Sequence, residues 1–517
     1  MNLCLISHIL GVISLIVAAF MTASLPWSFP AFGQVSHFDQ RGFLGVLVAI
    51  LISLVTSGVF LLCGRRARSD RLLRREALAA VGLAWLVATV LGALPYLFSG
   101  TYRGLDPSGH PVRMSVFDAI FESASGYSGT GATVISDVEN PELVPRSVLF
   151  WRSETHFLGG LGIVVLFVAI LDIGSAGKQL VRAEVATPTQ TSTHEQTRRA
   201  AMAFGTVFVV LNIILTLLLM LQGLSFYDAM CHAFGTVATG GFSTYNDSVA
   251  HFNNPSVELT IIVFMLLGCT NFGLLYFAAK GDLKRLFGDV EFRTYLACCL
   301  LAMGLVSACL FLQYQRSHSD IVSSTRWALF QCVSIQTNTG FATDDFQKWP
   351  PFAKGVLLAL MYLGGCAGST SCSVKVIRYI FLFKIFALEI EQSYRPKVVR
   401  IIRIGGQPIT DPDLLKSVLV YFGLVIITTV VAWLAILAFE PSTTWGGHAD
   451  QKILDTFSAV AATLNGVGPG LGLFGPMANY GPLHAPAKCI LTVLMLLGRL
   501  EYFPLLVLVM PRFWKAR

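Results

Sequence analysis

Tyr127-Ser128-Gly129-Thr130-Gly131-Ala132-Thr133 is a small, glycine-centred stretch inside a very apolar chain, and the chain repeats it. Its counterparts are Val237-Ala238-Thr239-Gly240-Gly241-Phe242, Thr337-Asn338-Thr339-Gly340-Phe341-Ala342 and Asn465-Gly466-Val467-Gly468-Pro469-Gly470. Each follows a short apolar stretch, starting near Phe117, Tyr227, Arg326 or Leu454, that reaches its loop glycine within 12 to 14 residues. A helix of about ten residues rises roughly 15 Å, half the hydrocarbon thickness of a bilayer. Each stretch therefore predicts a half-helix that enters and turns back. Asp118, Asp228 and Asp455 fall in the first turns of three of them, where an acid suits the positive end of the helix dipole. The partly negative ends then face the loops.

Four such ends converging on four glycine loops predict a cation site. Irregular backbone at membrane depth is tolerated where it is buried in protein or lines a watery path. Glycine lets carbonyls turn toward a common axis, and rings of carbonyls are how selectivity filters replace an ion's hydration shell. The candidate ligands are Gly129, Thr130 and Gly131; Ala238, Thr239 and Gly240; Asn338, Thr339 and Gly340; and Gly466, Val467 and Gly468. Four ordinary outward turns would explain the Thr-Gly and Gly-Gly pairs, but not their recurrence between a half-helix and a long span.

Composition points the same way. The 517 residues are 54% hydrophobic and 13% charged, with net charge +7 and mean hydropathy +0.66. These values define a multi-span, all-α integral membrane protein and exclude a soluble enzyme with an anchor. The eleven cysteines include no C-x-x-C and read as small apolar residues. His194-Glu195 lacks the second histidine of a metalloprotease helix, so nothing supports a membrane-embedded enzyme.

Two spans, about Leu3 to Pro26 and Gly42 to Cys63, precede the first repeat, and the first lacks the basic flank and cleavage site of a removed signal peptide. The arginine-dense run Gly64 to Arg75 then belongs in the cytoplasm. From there the pattern span, half-helix, span recurs four times. The first members are about Leu78 to Phe98, Met202 to Leu221, Tyr295 to Leu312 and Ser417 to Phe439; the second are about Val148 to Ile173, Leu259 to Ala279, Lys354 to Leu388 and Ala487 to Met510. The expected organisation is an N-terminal pair (1–70) and four pseudo-symmetric repeats around a central pore (71–176, 177–280, 281–406, 407–517). It has ten spans, both termini in the cytoplasm and the loops opening outward. The basic segments from Lys178 and Arg182 to Arg199, Lys280 to Arg293, Lys397 to Arg403 and Arg512 to Arg517 all fall inside, while Asp137, Glu139, Glu142, Asp247, Asp344 and Asp345 lie near the outer mouths, either concentrating cations or forming a solvated face.

A Leu-Gly step recurs in the second spans at Gly160, Gly268, Gly364 and Gly498. Directly after it the third repeat carries the small-residue run Gly364 to Ser373 ahead of Lys375, and the fourth carries Arg499 and Glu501. The run has poor helix propensity; close helix packing is the other use of small residues in a span. An arginine at this depth faces the bundle interior or a watery path, or pairs with a carboxylate such as Glu501.

Together these features resemble the TrkH branch of the Trk/Ktr/HKT potassium transporters. The resemblance rests on the four loops, Trp151-Arg152-Ser153 with His156 to Gly162, Gly364 to Thr370, Lys375-Val376-Ile377-Arg378, Ala461 to Asn465 with Gly468-Pro469-Gly470, and Gly498-Arg499-Leu500-Glu501. It covers nearly the whole chain. It implies a potassium uptake subunit of the bacterial cytoplasmic membrane, a homodimer without covalent cofactor, nucleic acid or catalysis, that works with a cytosolic TrkA-like partner binding NAD or ATP. It also implies that Gly364, Gly365, Ala367, Gly368, Ser369, Thr370, Ser371, Ser373 and Lys375 form an intramembrane gating loop, with Arg499 a barrier in the path. Gly129 and Asn338 stand where the family commonly has threonine, and Ser371-Cys372-Ser373 where it is usually glycine-rich. The alternative is a sodium- or proton-coupled symporter relaying protons through Glu122, His156 and His232; the same three residues can instead brace half-helices.

Overall fold

The computed structural model describes residues 1–32, 35–65, 74–106, 108–171, 194–314, 321–396, 402–405, 407–409, 412–446 and 449–515. Helices dominate, joined by two short antiparallel ribbons, Tyr102–Leu105 with Pro111–Arg113 and Ile402–Ile404 with Gln407–Ile409. Among the described residues six helices are long and apolar enough to cross a membrane: α1 (Leu3–Ser24, extended by a 3-10 turn to Ser28), α2 (Gln40–Gly64), α3 (Arg74–Phe98), α6 (His194–Leu221), α11 (Val290–Tyr314) and α15 (Pro412–Phe439). The chain is thus a multi-pass membrane protein. Most of the arginine-dense run and the basic segments after Lys178 and Lys397 lie outside the described residues.

The first two helices pack as an antiparallel pair. A Cβ on Gly64 would sit 2.7 Å from the His8 backbone, and one on Gly11 2.7 Å from Leu61, so the missing side chains set the approach. Ser57 Oγ adds a bond to Gly11 O at 2.7 Å.

The four predicted half-helices form as α4 (Val116–Ser128), α7 (Phe226–Val237), α12 (Ile321–Gln336) and α16 (Lys452–Leu464). At 13, 12, 16 and 13 residues they rise about 18 to 24 Å and fall short of a bilayer core. Ser115 and Asp118 close a reciprocal capping box on α4, and Ser225 caps α7 through Asp228 N. Asp455 departs from this pattern. It accepts from Trp445 Nε1 at 3.0 Å and Leu473 N at 3.1 Å, tying its half-helix to neighbouring loops.

The second and fourth of the second members correct the expectation of unbroken spans, and the third breaks where its small-residue run predicts. After α5 (Arg146–Leu171), the next is a pair, α8 (Pro255–Gly268) and α9 (Phe272–Ala279), bent by 110°. Asn271 makes the break by capping α9 with its side-chain oxygen on Gly273 N and Leu274 N. In the third repeat α13 (Pro351–Leu360) stops, residues 361–375 run without helix, and α14 (Val376–Tyr394) resumes. In the fourth, α17 (Ala485–Arg499) and α18 (Phe503–Val509) are separated at Glu501 and Tyr502, both with positive φ.

Candidate functional site

The four loops turn in one way. After each half-helix comes a residue with φ between 55° and 69° (Gly129, Thr239, Asn338, Gly466), and two residues later a glycine with φ between 76° and 92° (Gly131, Gly241, Gly340, Gly468). Between them, Thr130, Gly240, Thr339 and Val467 each donate their N–H back to the half-helix, at 2.7 to 2.9 Å. A Cβ on Gly131 would lie 2.1 Å from Gly240 O; on Gly241, 1.9 Å from Thr339 O; on Gly340, 2.1 Å from Val467 O; and on Gly468, 2.4 Å from Thr130 O. First loop touches second, second third, third fourth, and fourth first. The ring closes only because these four positions carry no side chain.

This packing moves the second loop by one residue. Gly241, rather than Gly240, is the counterpart of the other three ring glycines, and Ala238 (φ −79°, ψ −3°) is still the right-handed cap of its helix. Two consecutive glycines leave the register open in sequence; contact with the next loop decides it. The same ambiguity affects Gly159-Gly160. A Cβ on Gly159 would meet Tyr127 O at 2.0 Å, as one on Gly268 would meet Val237 O at 3.0 Å and one on Gly498 Leu464 O at 1.8 Å. Gly159 rather than Gly160 is therefore the packing counterpart, and Gly364, which faces Ser371 and Ser373, has no such place.

On the side of the ring glycines lies a pocket of about 130 Å³ lined by Gly131, Gly241, Gly340 and Gly468 with Arg152, Asp247 and Tyr480. A buried pair holds its wall. Arg152 Nε meets Glu122 Oε1 at 2.6 Å, Arg152 Nη1 donates to Ser243 O at 3.1 Å, and Glu122 accepts from Thr133 Oγ1 and Val134 N, both at 2.9 Å. His156 spans Gly126 O (2.8 Å) and Phe242 N (3.1 Å), and His232 spans Asp228 O (2.8 Å) and Ser243 Oγ (3.0 Å). All three candidate relay groups are engaged in bracing. Of the outer acids, Asp137 and Glu139 hold Asn246, Asp344 holds Trp349, and Asp345 caps Gln347. These acids serve loop structure; Asp247 lines the pocket.

On the other side, the small-residue run lies against the half-helix ends. Cys372 Sγ donates to Ser128 O at 3.0 Å, Thr370 Oγ1 to Val237 O at 2.9 Å, and Ser373 N to Asn465 O at 3.2 Å, while Cys269 Sγ reaches Thr337 O at 3.1 Å. Carbonyls at the ends of all four half-helices thus have donors, three from this run. Glu291 ties the run to the helix that follows it, its Oε1 accepting from Ala367 N at 2.8 Å inside the run and from Ile377 N at 3.0 Å in α14. Asn271 Nδ2 holds Ala367 O at 2.7 Å, Gly365 N and Lys375 Nζ bond Ser371, Ser369 bonds Cys366 O, and Gly364 N bonds Val374 O. Gly368 (φ 72°) packs on Asn271.

Arg499, 4% exposed, donates through Nη1 to Thr370 O at 2.5 Å and through Nη2 to Gly159 O at 2.8 Å. Glu501 pairs with Arg378 instead, because Glu501 and Tyr502 have left-handed backbones that end the helical register linking Arg499 to its neighbours. The structure thus brings the predicted loop and run residues close together, except that Ala238 stays in its helix cap and Gly241 takes the ring place expected of Gly240. Sequence reading missed Glu291 and Asn271, for which the only signal was a polar residue at the edge of an apolar segment.

These features define a polytopic helical membrane protein in which four short helices end on one ring of backbone, closed on one side by a non-helical run and an arginine. The profile of the TrkH family, described as cation transport protein, matches residues 50–516, and the chain belongs to that family. It is 36% identical over 454 residues to the Trk system potassium uptake protein TrkH of Salmonella typhimurium, covering 87% of this chain and 88% of the relative. It is 34% identical to the TrkH of Vibrio parahaemolyticus over 98% and 99% of the two chains. The crystal structure of the Vibrio parahaemolyticus potassium transporter TrkH superposes with TM-score 0.81 at 32% identity, over 98% of this chain and 99% of that one.

Proposed function

We propose that the chain carries potassium into the cell across the bacterial cytoplasmic membrane, through the ring as selectivity filter. The observation that carries this reading is the cyclic packing of the four loops. It gathers the backbone carbonyls of four loops, the kind of ligand that can replace a hydration shell, at the partly negative ends of four half-helices. Its recurring φ pattern also supports four repeats (71–176, 177–280, 281–406, 407–517) after an N-terminal pair. The ring residues are Gly129–Gly131, Thr239–Gly241, Asn338–Gly340 and Gly466–Gly468. Isotope uptake into proteoliposomes, in competition with sodium and rubidium, is the test. Rubidium should compete and sodium should not; equal competition by sodium overturns the reading.

Residues 361–375 are the gate on this reading and Arg499 the barrier beside it. A fixed cation about 6 Å from a permeating one costs roughly 3 kcal/mol at an effective dielectric near 20, up to about a hundredfold in rate. Arg499→Ala should therefore raise passive flux, and losing the bond to Thr370 O acts in the same direction by loosening the run. Lower flux from a folded, dimeric protein would make the arginine a structural tie instead.

Regulation falls to a cytosolic TrkA-like subunit docking on the basic inner face of the homodimer, with NAD or ATP bound by that partner. The purified chain alone should give flux indifferent to nucleotide; a nucleotide response without a partner refutes this. The coupled-symport alternative requires Glu122, His156 or His232 to exchange protons, and each is committed to bracing bonds. Flux driven by a pH gradient without a potassium gradient would restore it.

A further inference from the structure

We propose that the side-chain oxygen of Asn338 is a cation ligand of its own on the run-facing side of the ring, beside the backbone carbonyls; this rests on the filter reading above. Asn338 is fully buried, and neither its Oδ1 nor its Nδ2 has a hydrogen-bond partner. A buried amide left so is costly, which makes it a group that gains from a partner arriving. The equivalent positions differ. Gly129 and Gly466 have no side chain, and Thr239 uses its hydroxyl on Ala238 O at 2.7 Å.

Two of these counterparts give the direction. Thr239 Oγ1 lies 3.4 Å from Thr370 Oγ1, and a Cβ on Gly466 would lie 2.6 Å from Cys372 Cβ. Both face the run, and Asn338 is not among the residues lining the pocket on the glycine side. An uncharged amide oxygen there is a hard ligand of the same class as the backbone carbonyls. It would hold a partly dehydrated monovalent cation as it leaves the ring toward the gate, in the one quarter of the ring whose residue at this position carries a wholly unpaired side-chain amide.

A plainer reason for asparagine also exists, since its φ is 59° and asparagine tolerates that region better than most residues. Asn338→Gly separates the two, because glycine accepts the backbone and already occupies two of the four places. In proteoliposomes of the full chain, potassium influx by Asn338→Gly should need roughly tenfold more potassium for half-saturation, the worth of one charge-assisted contact. Asn338→Asp, which keeps the shape and adds charge, should shift half-saturation the other way and make influx sensitive to magnesium. Gly340→Ala is run in parallel. If it loses potassium discrimination while Asn338→Gly matches the parent in half-saturation and competition by sodium, the inference falls and the filter reading stands. If Gly340→Ala is also silent, the filter reading falls with it.

Discussion

Gly340→Ala is expected to cost the protein its discrimination between potassium and sodium, by at least about tenfold, while the membrane-inserted fold survives. The backbone at Gly340 has φ +80°, which an L side chain adopts at a cost of roughly 1–2 kcal/mol. The added carbon would also lie 2.1 Å from Val467 O and 2.9 Å from Pro469 Cδ. Neither neighbour is the free end of a flexible chain, so the third and fourth loops must move apart. A ring of carbonyls discriminates by the number and placement of its oxygens, and moving one quarter changes both. Sodium competition against isotope-labelled rubidium uptake measures this. Gly355→Ala, where a Cβ meets open space, is the control and should leave discrimination unchanged. Parental discrimination in Gly340→Ala with normal membrane abundance would remove the ring from the selectivity argument.

Arg152→Met should produce the largest loss of stability among substitutions outside the loops. Arg152 is 3% exposed and Glu122 0%, and the guanidinium also sits 3.5 Å from the centre of the Phe242 ring. The pair joins the first loop at Thr133 and Val134 to the second at Ser243. Removing the arginine strands a buried carboxylate, which costs roughly 3–5 kcal/mol where a paired replacement is often neutral. The double variant Arg152→Met with Glu122→Gln should recover much of that loss, since the glutamine is uncharged, its one oxygen can still accept from Val134 N, and its NH2 can donate to the Thr133 hydroxyl. Thermal melting in detergent checks both. Arg285→Met removes a 58% exposed partner of Asp282 and should change little; a drop for Arg152→Met no larger than for Arg285→Met would contradict the argument.

The loops were legible because each combines two signals that survive without tertiary information, a helix too short to cross a bilayer and a glycine where the chain must turn. Register was not. In Gly240-Gly241 and Gly159-Gly160 the two residues are chemically identical, and the choice between them rests on which Cα faces a carbonyl of a neighbouring segment. The partner of Arg499 was equally out of reach. Glu501 is two residues away in sequence, yet the left-handed turn at Glu501 and Tyr502 delivers its carboxylate to Arg378, leaving Arg499 to the carbonyls of Thr370 and Gly159.

By itself the sequence determined that this chain lives in a membrane, that four short helices end on four glycine loops, and that a run of small residues interrupts the third repeat. All of these follow from local composition and length, which the bilayer thickness and backbone sterics translate directly into structure. Only the tertiary structure decided which glycines close the ring, that the run caps half-helix ends, and that Glu291 and Asn271 hold it there. Those outcomes depend on contacts between segments tens to hundreds of residues apart, such as Cys372 on Ser128 or Arg499 on Gly159, and in a low-dielectric interior each buried polar group settles on whichever partner the packing brings within reach.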